Sequence, residues 1–272
     1  MHFDSHMHTT FSDGKNSADE MCAAAVEKGM GGITITDHAD MNFYESRDTY
    51  NRISKCMDAL GPLQERYAGA LQLSRGIELG EYLYDPTSAD RVLSITHYDA
   101  VLCSVHLVPG AGWPMPYNRI PFTTEGTDVE LRMYLKMYFD LLSETVDAFD
   151  FDILAHLTCP VRYITGIHGR QTDVMEFEDR ISEILEKIIK RNIALEINTG
   201  GMNAKCNYCN IQNDDILKLY RSMGGTMVTL GSDAHRVTSI GNGFDGAVAM
   251  LKELGFEDYL FYKNRKPCHI KI

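Results

Sequence analysis

The sequence predicts an α/β fold in which parallel strands alternate with helices around a barrel. Three observations predict it. Short β-branched or aliphatic runs alternate with amphipathic helical stretches about seven times. A histidine, aspartate or glutamate follows nearly every such run. The 272 residues suit one α/β barrel of about 250 residues as well as two domains of roughly 150, so a single domain over 1–272 is expected. A strand–helix alternation implies parallel strands with right-handed crossovers. In such barrels the chemistry gathers at the C-terminal ends of the strands.

The elements follow in order. The first strand is read over residues 3–8. Asp4, His6 and His8 alternate along it and so share one face. Ser17-x-x-Glu20 is a capping box, and Ala18, Met21, Cys22, Ala25 and Val26 continue at helical spacing to Gly29. Residues 32–36 form a second strand that delivers Asp37 and His38. A helix over about 47–67 follows, broken near Gly61-Pro62. Residues 71–77 read as a strand ending before Glu78, Gly80 and Glu81, and residues 101–105 as one ending at His106. A loop rich in Pro and Gly then spans 109–121 and holds the only tryptophan, Trp113. Loops of that length are often functional. Thr127-x-x-Glu130 opens a long helix with Leu131, Tyr134, Leu135, Tyr138 and Leu142 on one face. A strand at 152–155 delivers His156, and a helix carries Phe177, Ile181, Ile184, Leu185 and Ile188. The strand at 193–197 delivers Asn198; a helix over 214–223 ends at Gly224-Gly225. The strand at 226–230 delivers Ser232-Asp233-Ala234-His235, and a last helix holds Phe244, Ala247, Val248, Leu251 and Leu254.

Composition narrows the function. The chain is 44% hydrophobic and 24% charged, enough for a large core and unlike a disordered chain. Its net charge of −12 disfavours long nucleic acids and anionic membranes as partners. Seven scattered cysteines, without a basic leader or a membrane-length apolar run, point to a reduced, cytoplasmic protein. Cys206-x-x-Cys209 has no second pair at zinc spacing and reads as a loop with two thiols.

Two imidazoles and a carboxylate on one face are ligand types for a divalent transition metal. A lone histidine on an apolar run is more simply a core residue. Core packing does not account for Asp37, His38, Glu78, His106, His156, Asp233 and His235, each at a strand end. Buried charges need partners or metals, and a metal cluster is the simplest shared partner.

These residues resemble the PHP family of metal-dependent phosphoesterases. The matching motifs are Asp4-Ser5-His6-Met7-His8, Thr36-Asp37-His38, the isolated His156, and Ser232-Asp233-Ala234-His235, with Glu78 and His106 between them. Within the family the chain is most similar to the monofunctional histidinol-phosphatases, through 76–81, 104–106, 196–199, 228–235 and Gly255-Phe256. The resemblance implies a distorted seven-stranded (β/α)7 barrel holding two to three divalent ions of zinc, iron or manganese. His6, His8, Glu78 and Asp233 would hold one. Glu78, bridging, with His106 and His156 would hold the second. Asp13, His38 and His235 would hold the third. Asp4 and Asp37 would orient histidines.

The implied reaction is hydrolysis of a small phosphomonoester, L-histidinol phosphate to L-histidinol and phosphate, in histidine biosynthesis. Glu78 and Asp233 would act in catalysis through the metals, which make water more acidic. Arg162 would clamp the phosphate, since a guanidinium matches two of its oxygens; Arg236 is a weaker candidate. Glu81, Asp40 and Glu45 could receive the substrate amine, and Trp113 or Tyr163 its ring. Cys103 and Cys159 read as packing residues, and His2, His97, His168 and His269 as surface or packing residues. One departure stands out: Thr158 occupies a position where histidinol-phosphatases tend to carry Asp, and only one basic residue of a pair remains, Arg162. Other small-molecule or nucleotide phosphatases of the family, and a metal-binding domain without catalysis, are the alternatives. The oligomeric state is left open.

Overall fold

A computed structural model describes residues 1–112, 115–120, 126–200 and 214–272. Trp113, Cys206 and Cys209 lie outside the described residues. Strand β1 (Phe3–Met7) pairs in parallel with β2 (Gly32–Ile35), and β2 with β4 (Gln72–Gly80). The parallel ladder continues through β5 (Ala100–Ser104), β6 (Ile153–Leu154), β7 (Ala194–Asn198) and β8 (Val228–Gly231). Short β3 (His38–Asp40) lies beside the end of β4 with His38 opposite Glu78. β9 (Asp258–Lys263) touches β8 in parallel at one residue pair, and β10 (Lys266–Lys271) folds back on β9.

The expected barrel therefore takes the form of a mostly parallel sheet whose ladder does not run fully round. Its ends meet through an isolated bridge between Met7 and Ala234. There the His8 N–H donates to the Ala234 carbonyl and the Asp233 N–H to the His6 carbonyl, both at 2.9 Å. Seven strands run from β1 round to β8; β3 and the β9–β10 hairpin are additions that the sequence reading did not foresee. The hairpin interior is simple to miss, because β10 is largely exposed and has little apolar alternation.

Helices fill the connections. Both capping boxes form as read: Ser17 and Glu20 open α1 (Ala18–Glu27). Helix α2 (Thr49–Arg66) runs on through Pro62 instead of breaking there. Proline removes only the bond to the carbonyl four residues earlier, and that residue, Asp58, faces solvent. α3 (Pro86–Leu93) follows β4 and was not foreseen. Thr127 and Glu130 cap α4 (Asp128–Ala148). After β6 comes a short turn, α5 (Cys159–Val161), that runs into a π-helical turn over Arg162–Ile167. α6 (Glu178–Arg191) buries Ile181, Ile184, Leu185 and Ile188 as its spacing requires. α7 (Asp214–Ser222) and α8 (Phe244–Glu253) complete the set. Among the described residues no helix is long and apolar enough to cross a membrane.

Register separates an apolar floor from a polar mouth. Leu102, Ile153 and Ala194 are consecutive partners across the ladder, in line with Glu78. Partners share a face, so these residues lie on the Glu78 side. With Ala100, Ala155, Leu260 and Tyr262 they form a buried cluster. Two residues further along β7 the same face carries Glu196 and then Asn198.

Candidate metal centre

Two strands end later than the sequence indicated, and this matters for the ligands. β4 runs on to Gly80, so Glu78 sits within it, fully buried. β7 includes Asn198. Five imidazoles surround the Glu78 carboxylate. His156 Nε2 lies 2.8 Å and His106 Nε2 3.2 Å from Oε1. His38 Nδ1 lies 2.8 Å, His6 Nε2 3.4 Å and His8 Nε2 3.5 Å from Oε2. Asp233 Oδ1 stands 3.3 Å from His8 Nε2 and 3.8 Å from His6 Nε2. The two Nε2 atoms of His6 and His8 face each other at 3.1 Å.

An outer group adjoins this one. Asp13 Oδ1 is 3.1 Å from His235 Nε2 and 3.7 Å from His38 Nε2. The His8 ring packs between His38 and His235, at centroid distances of 4.2 and 4.3 Å. His6, His8, Glu78 and His156 are buried and His106 and Asp233 partly so, whereas Asp13 is exposed at the mouth. All nine expected ligands thus converge, with His38 touching both groups. His156 and Asp233 hold left-handed backbone at φ 26° and 53°, an arrangement that folds keep where side chains must be aimed.

The electrostatics are divided. Burial alone would raise the Glu78 carboxyl, but the charges on His38, His6 and His106 hold it well below the usual carboxylate range. Burial opposes the His6 cation, yet Glu196, Glu78 and Asp233 raise its pKa well above normal. His38 also overcomes burial, through Glu78 and Asp40, and rises to about 9. His8 goes the other way: burial and the His38 charge lower it to about 4. Glu78 Oε2 makes no well-aligned hydrogen bond despite three ring nitrogens within 3.5 Å. The donors surround shared points more than they pair with one another. Buried imidazoles and carboxylates so arranged fit divalent transition-metal ions, whose binding would displace the imidazolium protons. Within the described residues, His8–Asp13–His38–His235, His6–Glu78–His156, His6–His8–Asp233 and His38–Glu78–His106 each bring one donor atom per residue close enough for one ion.

A model of the PHP domain matches residues 4–200. The chain belongs to the PHP domain family. It is 30% identical over 266 residues to the "Probable histidinol-phosphatase" of Clostridium acetobutylicum, covering 97% of this chain and 98% of the relative. It is 24% identical to the "Histidinol-phosphatase" of Lactococcus lactis, covering 97% and 95%. The solved structure of histidinol phosphate phosphatase from Lactococcus lactis, complexed with zinc, L-histidinol and phosphate, shares the fold: TM-score 0.78, 21% identity, 98% of each chain covered.

Two further residues of this PHP centre, Glu196 and Asn198, were missed as site residues, and Asp40 was expected at the substrate amine instead of at a histidine. Glu196 accepts from His6 Nδ1 at 2.6 Å and from the His156 N–H at 2.7 Å. Asn198 donates to Asp233 and to Glu196, and accepts from Arg162 at 2.8 Å. Asp40 reaches His106 Nδ1 at 3.3 Å. The signal for Glu196 was present: a glutamate inside an otherwise apolar strand. A Cβ on Gly231 would collide with Glu196 Oε1 and His6 Cβ, so only glycine admits the pair there. Asp4 and Asp37 act through backbone N–H groups and, for Asp37, side-chain hydroxyls instead of through imidazoles. Asp4 accepts from the N–H groups of His6, Ser232 and Gly241. Asp37 accepts from the Thr9 N–H and from the Thr9 and Ser12 hydroxyls.

Arg162 sits on the π-helical turn and faces the centre. Its Nη1 donates to Asp233 Oδ2 at 3.1 Å and its Nη2 to Asn198 Oδ1. A cavity of about 430 Å³ opens here, bordered by His38, His106, Arg162, Tyr163, Asp233 and His235. A larger one of about 700 Å³ lies where β2, β4 and β5 begin, away from the ligands. The acidic groups expected to greet an amine are differently employed. Glu81 is buried and accepts from the His106 and Leu107 N–H groups. Asp40 pairs with Arg47 at 3.1 Å, and Glu45 is exposed outside the cavity lining.

Glu196→Gln keeps the shape and the acceptor for the His156 N–H but removes the charge on His6. It is expected to weaken metal affinity about 10–100-fold in competition with a chromophoric chelator, with the secondary structure unchanged by circular dichroism. Unchanged affinity would assign Glu196 to folding alone.

Proposed function

We propose that residues 1–272 form a single PHP phosphatase domain that hydrolyses L-histidinol phosphate to L-histidinol and phosphate, with two to three divalent ions of zinc, iron or manganese. The observation that carries this is the convergence of nine ligand-type side chains, six of which line a cavity that also presents Arg162. Full-length similarity to relatives named histidinol-phosphatase supports the substrate. The net charge of −12 supports a small molecule over a long nucleic acid or an anionic membrane, and the buried free thiols suit a cytoplasmic location.

In this reading His6, His8, Glu78 and Asp233 would hold one ion, Glu78 with His106 and His156 a second, and Asp13, His38 and His235 a third. When bound, the ions supply Lewis acidity: a more acidic water and compensation for phosphoryl charge. The chain's own residues do the rest. Arg162 binds the phosphoryl oxygens with its planar fork, which Asn198 and Asp233 hold in place. Water attacks phosphorus, the bond from phosphorus to the leaving oxygen breaks, and the alcohol departs with a proton. Tyr163 and Phe43 border the cavity and offer aromatic faces to the leaving imidazole. Glu78 and Asp233 keep the cluster's negative charge fixed, so little reorganisation accompanies the reaction.

One observation favours a second reading. Arg47 and Arg119 join Arg162 around the cavity, a lining that also suits a more anionic phosphoester such as a nucleotide. A panel of phosphomonoesters decides between them. With metal-replete protein, L-histidinol phosphate should exceed p-nitrophenyl phosphate and nucleoside monophosphates by at least ~100-fold in kcat/KM, about 2.7 kcal/mol at the transition state. A nucleotide or sugar phosphate as the better substrate would remove the histidine-biosynthesis reading and leave the metal chemistry standing. In the same assay Arg162→Ala should lower kcat/KM at least ~10-fold, because a charge-assisted hydrogen bond of ~1.5–3 kcal/mol is lost. Unchanged kinetics would make Arg162 a structural residue.

A further inference from the structure

The inner and outer ligand groups are positioned by different means. The inner one stands on ladder strands (His6, Glu78) or within two residues of their ends (His8, His106, His156, Asp233). The outer one draws on connections: Asp13 lies between β1 and α1, His38 heads the three-residue β3, and His235 lies past β8. The loop bearing Asp13 is tied to the His235 main chain, since the Lys15 N–H donates to the His235 carbonyl at 2.8 Å. That leaves His38 to be fixed relative to both.

Arg52 of α2 fixes it. Its Nη1 donates to the Phe11 carbonyl at 2.6 Å, two residues before Asp13, and its Nη2 to the His38 carbonyl at 2.8 Å. One guanidinium therefore clamps the main chains that carry two ligands of the outer group. Beneath it the fully buried Asp37 holds the same loop through Thr9 and Ser12, and Cys56, one helical turn beyond Arg52, touches Asp37 at 3.4 Å. The separation under control is the 3.7 Å between Asp13 Oδ1 and His38 Nε2, longer than the 3.1 Å from Asp13 to His235.

We infer that Arg52 is a positioning residue that sets the occupancy of the outermost ion without setting that of the inner pair. It touches neither metal ligands' side chains nor substrate, and works by spacing two backbones. Losing it lets His38 part from Asp13 and His235; Glu78 gives up its contact with His38 but keeps His6, His106 and His156, which stand on ladder strands or within two residues of their ends. A lysine in its place reaches one carbonyl at a time, because an ammonium lacks the fork.

The inference rests on the metal centre proposed above, and the test separates the two. Wild-type, Arg52→Met and Arg52→Lys full-length proteins are loaded with zinc, and the stepwise affinities are measured by chelator competition and metal analysis. Arg66→Ala, on the same helix but exposed and paired with Asp19, serves as the control. The weakest-bound equivalent is expected to lose at least about 10-fold in affinity in Arg52→Met, less in Arg52→Lys, and nothing in Arg66→Ala. The tighter equivalents are expected to stay unchanged. A parallel loss at every site would make Arg52 a general fold residue and overturn the inference, as would no loss at all. Wild-type protein with only the inner ions overturns the inference alone; wild-type protein that binds none overturns the metal centre too.

Discussion

A fully buried carboxylate surrounded by five imidazoles is tolerable only if its charge is matched. Glu78 is that carboxylate, and most of the site can be understood as arrangements for matching it. The charges of Glu78, Asp40, Glu196 and Asp233 favour protons on His6, His38 and His106, while burial and the His38 charge disfavour one on His8. Divalent ions would supply the matching charge in place of those protons, which they must displace in order to bind. Such a cluster is a poor way to stabilise a fold, since buried ion pairs seldom repay their desolvation. Its worth lies in what it binds.

The fold supplies the directions from which these groups approach. β1 must come back to the chain after β8, or His6 and His8 would not meet Asp233. The bridge at Met7 and Ala234 accomplishes this, reinforced by Asp4 on the N–H groups of Ser232 and Gly241. Gly231 leaves room for Glu196 to reach His6. The apolar cluster around Leu102, Ile153 and Ala194 closes the other end of the interior. The polar mouth is thereby confined to one end, where the connecting turns bring Arg162 and Asp13.

Much of this was legible in the sequence because strands and chemistry share a period. His6 and His8 announced themselves two residues apart, and the capping boxes at Ser17 and Thr127 marked their helices. Ligands at strand ends needed no tertiary knowledge. What escaped depended on contacts between distant segments. Glu196 resembles any strand residue until His6, 190 positions away, is seen against it. Asp37 and Asp4 were expected to orient histidines, but their partners are backbone N–H groups and, for Asp37, the Thr9 and Ser12 hydroxyls, which no spacing reveals. The π-helical turn at Arg162 follows a Pro, and no local periodicity predicts its extra residue per turn. β3 is three residues long, too short for any pattern, yet it brings His38 opposite Glu78.

The central claim is that Glu78 organises a metal centre instead of a self-contained salt-bridge cluster. The most direct measurement is the metal retained per chain by Glu78→Gln beside the wild type, after loading and removal of excess ion. The substitution keeps the shape and removes the charge. The wild type should retain at least about two equivalents of divalent ion and the variant less than about one, with both folded by near-ultraviolet circular dichroism. Equal metal content in the two proteins, or a metal-free wild type with full phosphatase activity, would contradict the account.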